Sequence, residues 1–339
     1  MIIHTLVRWI FAVFYGLIVS IVTIFSIIRH GNSYFKRKIR DTTPEILQDI
    51  SLGKHACIKL KNLKIHYVTT GDIKNPLMLL LHGFPEFWFS WRYQLKEFSK
   101  DYWLVAIDLP GYGNSEKPKG IQAYTSDELT LCLKELIVAL GRQKAIVVGH
   151  DWGGILAWYL AGNYPDVVDK LVVMNAPHPG HFEKVLFSSL KQFLMCWYIF
   201  FFQLPLLPEF VIQGRDMIIF DEAFKKDGQP IWSSEEIEAY KYTFSRPGAL
   251  TPPINFYRAA MARIGTNIES KNVHIRVPTL MVWGEKDKAL SLQLATGCVR
   301  FVDDFTLRIV ENASHWVQTE QPDEVNRHVW DFLNKTRNK

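Results

Sequence analysis

From Pro76 to Val310 the chain sets short apolar runs between longer stretches of helical spacing. The runs are Pro76-Leu-Met-Leu-Leu-Leu81, Trp103-Leu-Val-Ala-Ile107, Lys144-Ala-Ile-Val-Val148, Lys170-Leu-Val-Val-Met174, Pro278-Thr-Leu-Met-Val-Trp283 and Phe305-Thr-Leu-Arg-Ile-Val310. Each is of strand length and bounded by turn residues. Strands apolar on both faces belong in a parallel sheet covered by helices on both sides. Helices are predicted over 87–99, over 125–140, after the run at 144–148, and over about 321–335. The second has Ser126-Asp127-Glu128 near its start and Gly141 after its end. Upstream, Cys57-Ile-Lys-Leu-Lys and Leu63-Lys-Ile-His-Tyr-Val alternate apolar and polar residues, which predicts an antiparallel hairpin turning near Lys61-Asn62.

The alternation breaks at Asn175-Ala-Pro-His-Pro179. Residues 180–270 carry helical stretches and prolines but no clear strand, and aromatics crowd them. This reads as a helical cap inserted into one α/β domain, whose core is residues 55–179 and 271–339. The apolar segment 190–207 is interrupted by Lys191, Gln192, Gln203 and Pro205, so it reads as a cap helix and not as a membrane span.

The N-terminus has a different pattern. Trp9 to Ile28 holds no charged residue, and a helix of that length, at about 1.5 Å per residue, crosses a hydrocarbon core of roughly 30 Å. A signal peptide would have a shorter apolar region and a small-residue cleavage site, and Ser26-Ile27-Ile28-Arg29 offers none. Residues 1–54 are therefore expected to be a membrane anchor spanning 9–28 followed by a polar, basic linker. Five basic residues at 29, 36, 37, 38 and 40 follow the span, which puts the body in the cytosol on a single-pass anchor, with the endoplasmic reticulum as the expected membrane. Arg8 precedes the span, so the opposite orientation stays open. The anchor is expected to supply location only, with the site wholly beyond residue 80.

Charge follows the same division. The net charge is +5, but residues 1–40 hold six basic side chains and no acid, leaving 33 basic against 34 acidic in the remainder. A near-neutral body argues against a nucleic-acid partner. The four cysteines are scattered, with no spacing that suggests zinc.

Candidate chemistry sits just past the strand runs. Gly149-His-Asp151-Trp-Gly153 follows a strand and opens a helix, with the G-x-Nu-x-G spacing of a nucleophile elbow. The central residue is a carboxylate. A carboxylate attacks an electrophilic sp³ carbon and leaves an ester, which must then be hydrolysed. Asp287 and His315 follow the last two strand runs. Nucleophile, acid, histidine is the chain order of α/β-hydrolases.

Five segments carry a resemblance: His82-Gly-Phe-Pro-Glu86, Asp108-Leu-Pro-Gly-Tyr-Gly113, Gly149-His-Asp-Trp-Gly-Gly154, Gly284-Glu-Lys-Asp287 and Ala313-Ser-His-Trp316. The sequence resembles the epoxide hydrolase branch of the α/β-hydrolases over residues 55–339. The anchor and the wording of residues 79–95 make it most similar to the membrane-anchored epoxide hydrolase 3 and 4 group. The resemblance implies an α/β-hydrolase fold, a mostly parallel doubly wound sheet with an inserted helical cap. It implies a nucleophile at Asp151, a base at His315 oriented by Asp287, and two cap tyrosines that polarise the ring oxygen. Tyr198 stands four residues before Phe202-Gln-Leu-Pro205, and Tyr257 lies in Asn255-Phe-Tyr-Arg258, where the family carries those tyrosines. The backbone N–H groups of Phe84 and Trp152 are expected to form the oxyanion hole. The implied partners are a small lipophilic epoxide, water and, through residues 9–28, the bilayer, and the implied chemistry needs no metal or organic cofactor. Three other readings stay open: a haloalkane or haloacid dehalogenase, a non-catalytic binding protein on the same fold, and a serine-type esterase, which Asp151 disfavours.

Overall fold

The structure is a computed structural model that describes residues 2–264 and 274–337. It opens with a long helix, α1 (Ile2–His30), and then an antiparallel hairpin of β1 (Lys54–Lys59) and β2 (Lys64–Thr70). The wound part follows as β3 (Leu77–Leu81), α2 (Arg92–Phe98), β4 (Trp103–Ile107), α3 (Ser126–Ala139), β5 (Ala145–His150), α4 (Trp152–Asn163) and β6 (Val168–Met174). The cap holds α5 (Pro179–Ser188), α6 (Leu190–Met195), α7 (Trp197–Phe201), α8 (Leu207–Ala223), a small hairpin of β7 (Lys225–Lys226) and β8 (Gln229–Pro230), α9 (Ser234–Ser245) and α10 (Thr251–Arg263). The core resumes with β9 (Thr279–Gly284), α11 (Leu292–Thr296), β10 (Phe305–Val310), α12 (Val317–Glu320) and α13 (Pro322–Arg337).

The main sheet has eight strands in the order β1-β2-β4-β3-β5-β6-β9-β10. It is parallel from β4 to β10, and β2 joins it antiparallel to both β1 and β4. Strands β3, β4, β5 and β9 are buried at every position, which is why they read as unbroken apolar runs. Each fully buried large apolar side chain there contributes roughly 1.5–3 kcal/mol. The mostly parallel sheet expected from the runs, in the α/β-hydrolase fold that the resemblance implies, is the one observed.

Two expectations need correction. The cap contains a strand pair, β7–β8, where none was expected; two residues on each side are too few to show a period. Residues 265–270 of the expected cap lie outside the described residues. The second correction concerns residues 31–54, expected as a linker. They pack on the body: Leu47 and Leu52 are buried in the main core, and Tyr34 is buried against the cap at Gly214 and Phe210. Arg40, its side chain only 3% exposed, pairs with Asp216 at 2.7 Å and with Glu238 at 2.9 Å. Helix α8 breaks at Gly214, and Arg215, Asp216 and Met217 take left-handed backbone conformations there. That bend presents Asp216 to the arginine. The two carboxylates come from different cap helices, α8 and α9, so this is a clamp and not a tether.

Candidate active site

The chemistry gathers at the carboxyl ends of the parallel strands, where ligands bind in open α/β sheets. Strand β5 ends at His150, and Asp151 follows with φ 48° and ψ −120° before α4 begins at Trp152. A side chain in that conformation is strained, and the surroundings must hold it. The flanking glycines explain how: a Cβ on Gly153 would strike the Leu81 carbonyl, and one on Gly149 would strike the backbone of Gly153. Strand and helix therefore approach closely enough to thrust Asp151 above the sheet.

Asp287 follows β9 and His315 follows β10. His315 Nδ1 lies 2.7 Å from Asp287 Oδ2, and His315 Nε2 lies 3.6 Å from Asp151 Oδ2. The Asp287 carboxylate also accepts from the Asn175 side-chain amide at 2.7 Å and from the backbone N–H groups of Ala289 at 2.7 Å and Leu290 at 2.8 Å. Burial alone would raise its pKa, but the His315 charge and these donors hold it below the usual carboxylate range. For His315, burial pushes the pKa down; the Asp287 charge and the contact with Asp151 overcome this and carry it well above the ordinary histidine value. The resting pair is thus an imidazolium between two carboxylates.

The second Asp151 oxygen is held elsewhere. Oδ1 accepts a hydrogen bond from the backbone N–H of Phe84 at 2.8 Å. Trp152 is the first residue of α4, so its N–H is one of the donors that no helical carbonyl satisfies. Phe84 and Trp152 thus flank Asp151, the first bonded to the carboxylate itself.

Sequence reasoning gave no role to three residues that hold this arrangement. Asn175, just past β6, donates to Asp287 and accepts from the Gly284 N–H at 3.0 Å. Glu86 and His150 form a fully buried pair at 2.7 Å. Glu86 also accepts from the Gly83 N–H at 2.9 Å and from Gln318 at 2.9 Å, while His150 Nε2 meets the His315 carbonyl at 2.8 Å. The pair therefore ties the Phe84 loop to the His315 loop beneath Asp151. Burial would raise the Glu86 pKa, but His150 and the Gly83 N–H hold it low. Both residues stand within the quoted motifs; a polar His150 ending an apolar strand and Glu86 in the loop after another were the signal available.

The cap supplies the roof. Tyr198 on α7 and Tyr257 on α10 face each other edge to face, with ring centroids 5.8 Å apart. Tyr257 also packs on Trp152 at 4.9 Å, Phe202 at 5.0 Å and Phe84 at 5.5 Å. Burial, then the neighbouring carboxylates and thiol, push both phenol pKa values well above 10, so both remain protonated donors. Two apolar lobes of about 130 Å³ and 380 Å³ meet where Asp151, Tyr198 and Tyr257 line both. His315, Phe84 and Trp316 line the larger lobe. Val19 of α1 lines it too, which corrects the expectation that the site lies wholly beyond residue 80. Among the described residues, no cluster of three or more His, Cys, Asp or Glu side chains is placed to hold a metal ion.

Comparison with known proteins agrees with this geometry. Residues 76–208 match the alpha/beta hydrolase fold family. The chain is 42% identical to "Epoxide hydrolase 4" of Homo sapiens, over 90% of this chain and 86% of that protein. It is likewise 42% identical to "Epoxide hydrolase 3" of Xenopus tropicalis, over 89% and 83%. The crystal structure of Bacillus megaterium epoxide hydrolase in complex with an inhibitor superposes with a TM-score of 0.75 at 30% identity, over 82% of this chain and 100% of that one. A strained aspartate elbow, an imidazole between two carboxylates and a two-tyrosine roof thus occur in a chain that belongs to the epoxide hydrolase family of α/β-hydrolases.

Proposed function

We propose that this hydrolase opens a lipophilic epoxide to a vicinal diol through a covalent ester on Asp151. The observation that carries the reading is the division of labour between the two Asp151 oxygens: Oδ1 sits on the Phe84 N–H, while Oδ2 points to His315 and the cavity. Oδ2 attacks one ring carbon as the carbon–oxygen bond breaks. Tyr198 and Tyr257 hydrogen-bond the departing oxygen, and one gives it a proton. A phenol with a raised pKa is acid enough, because a ring-opened alkoxide is far more basic.

The ester then carries its carbonyl oxygen at Oδ1, already on the Phe84 N–H and beside that of Trp152. A tetrahedral intermediate would meet its donors without rearrangement, and losing one such donor typically costs about 10²–10³ in rate. Alkylation also changes His315. It removes the Asp151 charge, one of the causes that raise the imidazole pKa, so His315 can shed its proton only when a base is needed. Neutral His315, oriented by Asp287, takes a proton from water, which attacks the ester carbonyl. The tetrahedral intermediate collapses as the bond between the Asp151 acyl carbon and Oδ2 breaks, and the departing diol oxygen takes the second water proton through His315; the proton that His315 shed restores the phenol, so the resting charges return and water has been added across the ring.

The substrate class follows from the apolar, aromatic lining. A variant of the Bacillus megaterium enzyme complexed with a naphthyloxy-propanediol product supports the diol reading. One N-terminal helix is long and apolar enough to cross a membrane. We read it as a single-pass anchor in the endoplasmic reticulum, with the basic flank and the catalytic body cytosolic.

The test is a single turnover in ¹⁸O-water with enzyme in excess. The mechanism puts an unlabelled Asp151 oxygen into the diol and the heavy oxygen into Asp151. Label in the diol, with Asp151 unlabelled, means direct attack by water and overturns the reading.

A further inference from the structure

Helix α1 carries apolar residues all round, yet only one of its faces is covered. Ala12, Gly16 and Thr23 are buried, while Ile10, Val13, Phe14, Leu17 and Ile21 are exposed. The spacing 12, 16, 19, 23 is one helix face. That face lies on the cap. Phe11 packs on Phe193 at 4.7 Å and on Phe200 at 5.6 Å, and Tyr15 lies 6.3 Å from Trp197. Gly16 leaves room for Leu204, which a Cβ would strike. The cap element so covered is α7, which carries Tyr198. Between these contacts Val19 reaches the larger lobe of the cavity, alongside Trp197, Val211, Ile212 and Phe220. The Arg40 clamp to Asp216 and Glu238 fixes the chain that leaves α1 to the same cap.

We propose that the N-terminal helix is a wall of the substrate cavity and that Val19 is a specificity-determining residue, limiting the length of chain an epoxide can carry. The proposal rests on the epoxide-opening reading for its substrate class. The physical argument is one of volume. The larger lobe, at about 380 Å³, holds several methylene groups beyond the reacting ring, and Val19 is its contribution from the segment expected to lie in the membrane. A bulkier residue at 19 removes part of that volume. An equally bulky residue at 21, on the outer face, meets lipid and removes none. The covered face also means that α1 cannot be exchanged for an arbitrary apolar helix without unroofing the lobe.

The experiment uses the full chain in nanodiscs, as Val19→Trp and Val19→Ala with Ile21→Trp as the control of equal bulk. Two epoxides are compared, a short terminal one and an internal one in the middle of an eighteen-carbon chain. The ratio of kcat/KM for the long over the short epoxide should fall at least tenfold in Val19→Trp, hold or rise in Val19→Ala, and stay as in the wild type in Ile21→Trp. Binding of a long-chain vicinal diol, read from the fluorescence of the cavity residues Trp152 and Trp316, should weaken at least tenfold in Val19→Trp alone. The binding measurement stands even if no epoxide is turned over, so failure of the chemical reading and failure of the wall are told apart. Equal ratios and equal diol affinities in Val19→Trp and Ile21→Trp would overturn the proposal.

Discussion

The loops at the strand ends and the cap above them hold their reactive groups by different physics. Beneath, short hydrogen bonds hold the side chains: Asp151 Oδ1 to Phe84, His315 to Asp287, Asp287 to Asn175 and Leu290, Glu86 to His150. Above, Tyr198 and Tyr257 are placed by ring packing, on each other and on Phe202, Phe84 and Trp152. The lower half is a charge system in which removing one member changes the protonation of the next. The upper half is a shape that presents two neutral donors. On the proposed reaction, the lower half should govern both steps, and the roof should govern ring opening alone.

The comparison breaks most completely at Asp151. An amide is a poor nucleophile, and removal of a hydrolase nucleophile costs on the order of 10⁶ in kcat. Asp151→Asn, confirmed by mass to be undeamidated, should form neither ester nor diol at a measurable rate. The roof comes next. Tyr198→Phe and Tyr257→Phe keep the ring packing and remove one hydroxyl each. Each should slow single-turnover ester formation by about 2–4 kcal/mol, the range for a lost transition-state donor. The double change need not be the sum, because both donors act on one oxygen. Hydrolysis of a preformed ester should hardly change. If both phenylalanine variants slow ester hydrolysis as much as ring opening, the division between roof and floor is wrong. Halide release from a chloroalkane by the double variant, with epoxide opening intact, would favour a dehalogenase.

The smallest expected effect is in pH. Neutral imidazole is needed only for hydrolysis, so the rate of ester breakdown should rise by up to about tenfold per pH unit and then level off. The levelling should come below the pH at which His315 titrates in the resting enzyme, because the ester has removed the Asp151 charge that raised it. Ring opening tolerates a protonated His315 and should be flat over the same range. Rapid-quench measurement of the two steps separates them; ring opening that rises in parallel would place a required neutral base in the first step.

The same contrast explains what could be read from the chain. Three members of the floor were legible because turn chemistry is local: glycines at 149 and 153 flank Asp151 in one bend, and Asp287 and His315 stand just past apolar runs, whereas Asn175, Glu86 and His150 act through partners far along the chain. The tyrosines were legible only through the resemblance, since aromatics crowd the cap and spacing alone does not single out two. The Arg40 clamp was invisible, because its partners lie 176 and 198 residues away. The docking of α1 was masked for another reason. A helix apolar on every face has no hydrophobic side to find, and the small residues Ala12, Gly16 and Thr23 at helical spacing were the only mark of its covered face.

On the proposed mechanism, ring opening leaves an ester on Asp151 that His315 must clear. His315→Gln removes the base and leaves the nucleophile, so the two steps should part. Mixed with a slight excess of epoxide, the variant should gain the full mass of one substrate molecule. Peptide mapping should put that mass on Asp151, and it should persist for hours while the wild type shows none. Normal diol turnover by His315→Gln with no adduct on Asp151 would contradict the account.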